Sequence, residues 1–160
     1  MSQTPHVRPA DSLEPAGPAA GSSSRRRSGR SSAERGVRRW PVILLRCLIT
    51  AFLVLTLVQP VLAGMFVTGE VDLLELHEIN AHTISFLSWL LVVSAVLLWR
   101  PGRGPLWPIP VALLLSVLVQ MQSGWGFSRA LELHIPVGVA LTAGATALAY
   151  WAFSYRGGRR

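Results

Sequence analysis

Four long apolar segments constrain the fold of this chain more than any other feature. They span residues 47–67, 73–99, 106–122 and 131–155. Each is close to the ~20 residues that an α-helix needs to cross a hydrocarbon core about 30 Å thick. With 51% hydrophobic and 14% charged residues, the chain is too apolar for an ordinary soluble domain. The sequence therefore predicts an all-α integral membrane protein with a four-transmembrane-helix bundle.

Two polar segments flank this predicted bundle. Residues 1–39 consist mostly of Pro, Gly, Ser, Ala and Arg, which bury too little apolar surface to offset the entropy of ordering. We predict a disordered cytoplasmic tail there, a transmembrane domain over residues 40–156 and a basic C-terminal tail over residues 157–160. A cleaved secretory signal peptide is not expected, because the apolar run after the tail is long enough to span a membrane.

All of the basic side chains other than histidine are arginines, and their placement predicts the topology. Most of the 15 lie in the first 46 residues rather than across a folded surface, which argues against a nucleic-acid groove. By the positive-inside rule, the tail, the turn with Arg100 and Arg103, and the C-terminus belong on one side of the membrane. Both termini are therefore expected in the cytoplasm, with the chain crossing the cell membrane several times.

The sequence contains a tandem two-helix repeat. Three features recur in the same order in its two halves: Leu57–Gln59 as Leu118–Gln120, Gly64 as Gly124, and Leu74–His77 as Leu131–His134. Because each unit crosses the membrane twice, equivalent positions of the second and fourth helices lie at the same depth on the same side. His77 and His134 are thus predicted to be level with one another near the outer surface.

Small residues follow both histidines at helical spacing. Ala81 stands one turn beyond His77, and Gly138 stands one turn beyond His134. Facing small residues leave a slot, which tight helix packing can close. The slot can also hold a flat macrocycle with one imidazole from each wall. Packing explains the small residues alone, whereas haem explains both them and the two level histidines.

Four further residues are candidates for the surroundings of such a site. His82 lies five residues beyond His77, about 140° around the helix. It is either an alternative ligand or a packed polar residue. Gln59 and Gln120 either form hydrogen bonds between helices or bind an imidazole N–H. Arg129 pairs either with a haem propionate or with Glu132.

A metal ion without haem is another candidate ligand. His77, His134 and a carboxylate from Glu75, Glu78 or Glu132 would supply three ligands for zinc. However, a glutamate and a histidine two positions apart lie about 200° apart around a helix, so they do not converge from one helix. The chain has one cysteine, which excludes an intramolecular disulfide and a cysteine-based cluster.

Several motifs also resemble those of a known family. They are Gln59-Pro60-Val61-Leu62-Ala63-Gly64, Leu76-His77 with Ala81, Leu118-Val119-Gln120, and Leu133-His134 with Pro136 and Gly138. This pattern resembles small four-helix bacterial membrane proteins of unknown function, a family similar in turn to one half of haem A synthase, the cytochrome oxidase assembly enzyme. The resemblance covers about residues 47–155 and implies haem ligation at His77 and His134. It does not carry over the synthase activity, because the second half of that enzyme has no counterpart here.

The sequence thus leads to one principal hypothesis and one alternative. The first is a b-type haem protein with two axial histidines that acts in electron transfer or haem handling. Two axial imidazoles leave no open iron position, so it would carry electrons rather than transform a substrate. The alternative is a cofactor-free accessory or structural subunit. Besides the lipid bilayer, the sequence leaves open a redox partner or quinone and a homo- or hetero-oligomeric state.

Overall fold

The computed structural model describes residues 39–156, which form four α-helices. They are α1 (Trp40–Val67), α2 (Leu73–Trp99), α3 (Pro108–Phe127) and α4 (Leu131–Ser154). All four are long and apolar enough to cross a membrane, and no strand occurs in the described range. The predicted all-α four-helix architecture is therefore confirmed, and such helices imply a surrounding lipid bilayer. Apart from Arg39, the two predicted tails lie outside the described residues.

Two helices, α1 and α3, differ from their predicted bounds by more than one residue. α1 begins at Trp40 rather than at residue 47, so Arg46 lies inside the helix. The helix tolerates this arginine because its guanidinium finds acceptors at the end of α4. α3 begins at Pro108, which suits a first turn that lacks intrahelical acceptors. It continues to Phe127 instead of ending at residue 122.

The helices form a ring in which each packs against two neighbours. The ring order is α1, α2, α3, α4, and it is closed by packing of α1 against α4. We call the end where α1 begins and α4 ends the terminal end, and the opposite end the histidine end. α1 and α4 are the one neighbouring pair that no turn connects directly. Which end faces the cytoplasm stays a prediction from the arginine pattern.

Arg46 holds this α1–α4 pair together at the terminal end. Its Nε donates to the Ala152 carbonyl at 2.9 Å, and a terminal guanidinium nitrogen donates to the Tyr155 carbonyl at 2.9 Å. Its guanidinium also lies 5.4 Å from the centre of the Phe153 ring. Carbonyls in the last turn of a helix have no intrahelical partners, so a cation that binds them stabilises the helix end.

The buried core is displaced towards the terminal end. Fully buried residues of α1 do not extend beyond Thr56, those of α3 end at Val119, and those of α4 begin only at Leu141. Phe52 of α1 and Leu91 of α2 are among the largest completely buried side chains. The histidine end is consequently less filled than the terminal end, and this is where the bundle has a cavity.

Candidate functional site

A cavity of about 930 Å³ extends from the histidine end of the bundle along α4, and all four helices contribute to its walls. Cofactor and small-molecule sites usually enclose about 300–1,000 Å³, so this cavity is large enough for a sizeable ligand. The four residues predicted to form a cofactor site all line it: His77, Ala81, His134 and Gly138. The fold thus brings the two histidine-bearing segments of α2 and α4 to one space.

His134 is held in a defined tautomer by α3. Its Nδ1 lies 3.0 Å from the carbonyl oxygen of Gln122. A carbonyl can only accept, so Nδ1 carries a proton, and in the neutral imidazole the lone pair is then on Nε2. The ring lies against Gly126, where an added Cβ would come within 3.1 Å of the histidine Cε1. A glycine at that position therefore makes room for the imidazole.

The side chain of Gln122 completes a reciprocal contact between α3 and α4. Its amide nitrogen donates to the main-chain carbonyl of His134 at 2.6 Å. The amide passes over Gly138, where a Cβ would lie only 2.9 Å from the Gln122 nitrogen. The side-chain oxygen of Gln122 is buried and has no hydrogen-bond partner among residues 39–156. Gln122 thus positions the first turn of α4 and leaves one acceptor unpaired beside the cavity.

His77 is positioned by aromatic packing rather than by a matching hydrogen bond. Its ring meets Phe66 of α1 edge-on, with ring centres 5.5 Å apart and planes inclined by 74°. Its Nδ1 is buried and has no partner within the described part of the chain. A buried polar atom left unpaired costs about 1–3 kcal/mol. The fold bears this cost at a histidine that also lines the cavity.

Gln59 and Gln120 form hydrogen bonds between helices. The side-chain oxygen of Gln59 accepts from the Asn80 amide at 2.8 Å, and the same amide also donates to the Leu55 carbonyl at 3.0 Å. The side-chain oxygen of Gln120 accepts from the Ser85 hydroxyl at 2.8 Å. Of the two roles that the sequence left open for these glutamines, the structure displays the interhelical one.

His82 and Arg129 lie away from the cavity. The side chain of His82 is 69% exposed, and its Nε2 lies 3.7 Å from a carboxylate oxygen of Glu78 on the preceding turn of α2. Arg129 is exposed in the turn between α3 and α4. Neither residue is part of the cavity wall. For His82 the reason is geometric, since five residues turn its side chain by about 140° from that of His77.

Three residues that contribute to the site were not predicted from the sequence: Gln122, Asn80 and Phe66. The sequence offers two glutamines on α3, and the repeat pointed to Gln120. Because two positions rotate a side chain by about 200°, only one of the pair can face the cavity. The spacing of Gln122 and Gly138 gave no signal, since their contact joins separate helices.

The two histidines do not belong to a larger cluster of ionisable ligands. Within residues 39–156, no group of three or more His, Cys, Asp or Glu side chains is arranged to hold a metal ion. The cavity instead combines two imidazoles with a largely apolar wall that includes Leu57, Ile84 and Val139.

No protein-family model, curated protein or solved structure matches this chain. The function is therefore argued from the residues of the cavity itself.

Proposed function

We propose that the protein binds b-type haem in this cavity, with His77 and His134 as axial ligands, and acts in electron transfer or haem handling. The observation that carries the proposal is that two histidines from α2 and α4 line one largely apolar cavity at the histidine end. Ionisable groups inside membrane helices are rare and generally serve a function. Two of them on opposite walls of one space suit the two axial positions of a haem iron.

The residues present fit this group in three respects. His134 donates its Nδ1 proton to a main-chain carbonyl, which is how most metal-binding histidines are oriented, and its Nε2 lone pair remains available. His77 carries a buried Nδ1 without a hydrogen-bond partner in the described range. Ala81 and Gly138 keep the walls one turn further along free of bulky side chains.

The chemistry of the proposed site follows from these ligands. Haem supplies one-electron redox chemistry when bound, and the protein tunes it through its axial ligands and their hydrogen bonds. His77 and His134 would hold the haem iron. Gln122 would fix the orientation of one imidazole, and Phe66 would restrain the other. Such a site transfers electrons or holds haem, and it leaves no iron position for a substrate.

A cofactor-free accessory or structural subunit is the second candidate. The observation that favours it is the pair of hydrogen bonds between Gln122 and His134, which joins α3 to α4 without any ligand. In this alternative His134 serves helix packing, and His77 is a packed polar residue. The two candidates make opposite predictions about the colour of the purified protein.

A reduced-minus-oxidised absorbance spectrum separates the two candidates. We expect protein purified from haem-replete cells to give a b-type signal that is lost in both His77→Ala and His134→Ala. His82→Ala is the matched control, because it removes an exposed histidine of the same helix, and it should retain the signal. Circular dichroism of each variant verifies that the helices persist. Colourless wild-type protein would exclude the haem proposal and leave the structural subunit.

A further inference from the structure

The cavity opens sideways between α1 and α4. Its wall residues from α2 and α3 are all buried or half-buried, whereas every exposed wall residue belongs to α1 or α4. The exposed fraction of the residue's surface area is 51% at Leu57, 67% at Val139 and 77% at Tyr150. Because these residues lie along membrane-spanning helices, the opening faces the hydrocarbon of the bilayer.

Side-chain hydrogen bonds fasten the other three helix pairs near the cavity but not this one. In the histidine half, each of the three remaining pairs has a polar link: Asn80 to Gln59, Ser85 to Gln120, and Gln122 to His134. Between α1 and α4, the side-chain hydrogen bonds of the described residues are those of Arg46, at the terminal end. Among the described residues, this pair is thus fixed by side-chain hydrogen bonds at the terminal end and not at the histidine end.

Beyond the histidines, the cavity continues along α4 as an arm formed by Val139, Ala143, Thr146, Ala147 and Tyr150. From His134 to Tyr150 the helix rises roughly 24 Å at 1.5 Å per residue, most of a hydrocarbon core about 30 Å thick.

The arm is apolar although it contains a threonine. The hydroxyl of Thr146 donates to the Thr142 carbonyl at 2.8 Å, and the hydroxyl of Thr142 donates to the Gly138 carbonyl at 3.0 Å. These hydroxyl protons are therefore satisfied by the backbone of the same helix. Apart from the tyrosine at its far end, the arm offers methyl and methylene groups, which match a hydrocarbon chain.

We infer that the α1–α4 seam admits a membrane-dissolved amphiphile from the bilayer, whose single hydrocarbon chain lies in the arm with its polar head towards the histidines. A second copy of this chain would cover the mouth of the arm but would not fill the space behind it between the four helices. The inference concerns the arm and its mouth, so it does not rest on haem binding.

Photolabelling of the full-length protein in phosphatidylcholine liposomes tests the inference. The probe is a long-chain fatty alcohol with a diazirine in its chain, and labelled residues are located by mass spectrometry. In the wild type we expect labelling of Ala81 and Ile84, which line the cavity, as well as of lipid-facing Phe86. In Ala143→Trp, labelling of the cavity residues should fall about tenfold, because an indole occupies the space of the chain. Labelling of Phe86 should not change.

Ala140→Trp is the matched control, since Ala140 is exposed on the same helix but does not line the cavity. It should leave the labelling of Ala81 and Ile84 at the wild-type level. Ala147→Trp, further along the arm, provides a second obstruction if Ala143→Trp does not fold. Three results overturn the inference: an unlabelled cavity wall in the wild type, equal labelling in the obstructed variants, or an equal loss in the Ala140→Trp control.

Discussion

Gln122 and His134 are joined by two hydrogen bonds that run in opposite directions. The glutamine amide donates to the histidine carbonyl at 2.6 Å, and the histidine ring donates to the glutamine carbonyl at 3.0 Å. The first bond fixes the start of α4, and the second fixes the imidazole within the cavity. One residue therefore sets both the position and the tautomer of a proposed haem ligand.

The room that Gly126 leaves for the His134 ring can be tested with two glycines of α3. A side chain at Gly126 would meet the imidazole at 3.1 Å, whereas Gly124 has no atom within 4 Å of an added Cβ. We expect Gly126→Val to displace the ring and to abolish the b-type difference spectrum. Gly124→Val should retain the spectrum. Equal spectra in the two variants would show that the ring position is not set by Gly126.

The contact between Gly138 and Gln122 predicts an effect on stability. An alanine gains up to about 1 kcal/mol over glycine within a helix, and Gly64→Ala should show this gain because nothing lies within 4 Å of its Cβ. At Gly138 the Cβ would stand 2.9 Å from the Gln122 amide and displace it. We expect Gly138→Ala to be less stable than Gly64→Ala by about 1 kcal/mol, the value of one hydrogen bond. Thermal unfolding in detergent measures both, and matching stabilities would contradict this role of Gln122.

The hydrogen bond between Asn80 and Gln59 should couple α2 to α1. Asn80 is 9% exposed, and its amide also donates to the Leu55 carbonyl. We expect Asn80→Leu to destabilise the bundle by about 1–3 kcal/mol, because it leaves buried acceptors unpaired. In a double-mutant cycle with Gln59→Leu, the two changes should deviate from additivity by about 0.5 kcal/mol or more. Additive effects in the thermal unfolding of the four proteins would show that the pair is not coupled.

Arg46 should be more sensitive to substitution than its position near a helix end implies. It donates hydrogen bonds to the carbonyls of Ala152, Phe153 and Tyr155. Hydrogen bonds to charged groups are worth about 1.5–3 kcal/mol when solvent is excluded, and less at this partly buried site. We expect Arg46→Leu to lower the unfolding temperature, and Arg46→Lys to restore only part of the loss because an ammonium lacks the planar fork. Full recovery of the unfolding temperature with lysine would show that Arg46 stabilises the bundle through its charge alone.

Local patterns were sufficient to predict the helices, but they were insufficient for the contacts between them. α2 was placed at residues 73–99 in agreement with the structure, because a polar turn precedes it and Arg100 follows it. The predicted end of α3, at residue 122, is too early, because the helix continues through Gly124 and Gly126 to Phe127. In the bundle Gly126 stays helical, where the missing side chain admits an imidazole from α4.

Some of the cavity residues could likewise be predicted from the sequence, and others could not. His77, Ala81, His134 and Gly138 were predicted from helical spacing and the internal repeat, and all four line one space. The choice of Gln122 over Gln120 depends on how α3 is rotated about its own axis, which is set by its packing against the other helices. Near the cavity, α1 and α4 lack the side-chain hydrogen bonds that join the other three helix pairs. Which helices exchange hydrogen bonds depends on the packed bundle, and no sequence spacing encodes it.

The clamp formed by Arg46 also bears on the order in which the protein can assemble. Its acceptors belong to the final turn of α4 and the residue after it, so α1 obtains these polar partners only after α4 has been synthesised. Before that, α1 can associate with α2 through the hydrogen bond between Asn80 and Gln59. The carbonyls that Arg46 binds in the complete bundle are not yet present. A chain truncated before Ala152 would thus contain nearly all of its membrane-spanning segments but would lack the carbonyls that Arg46 binds at the terminal end.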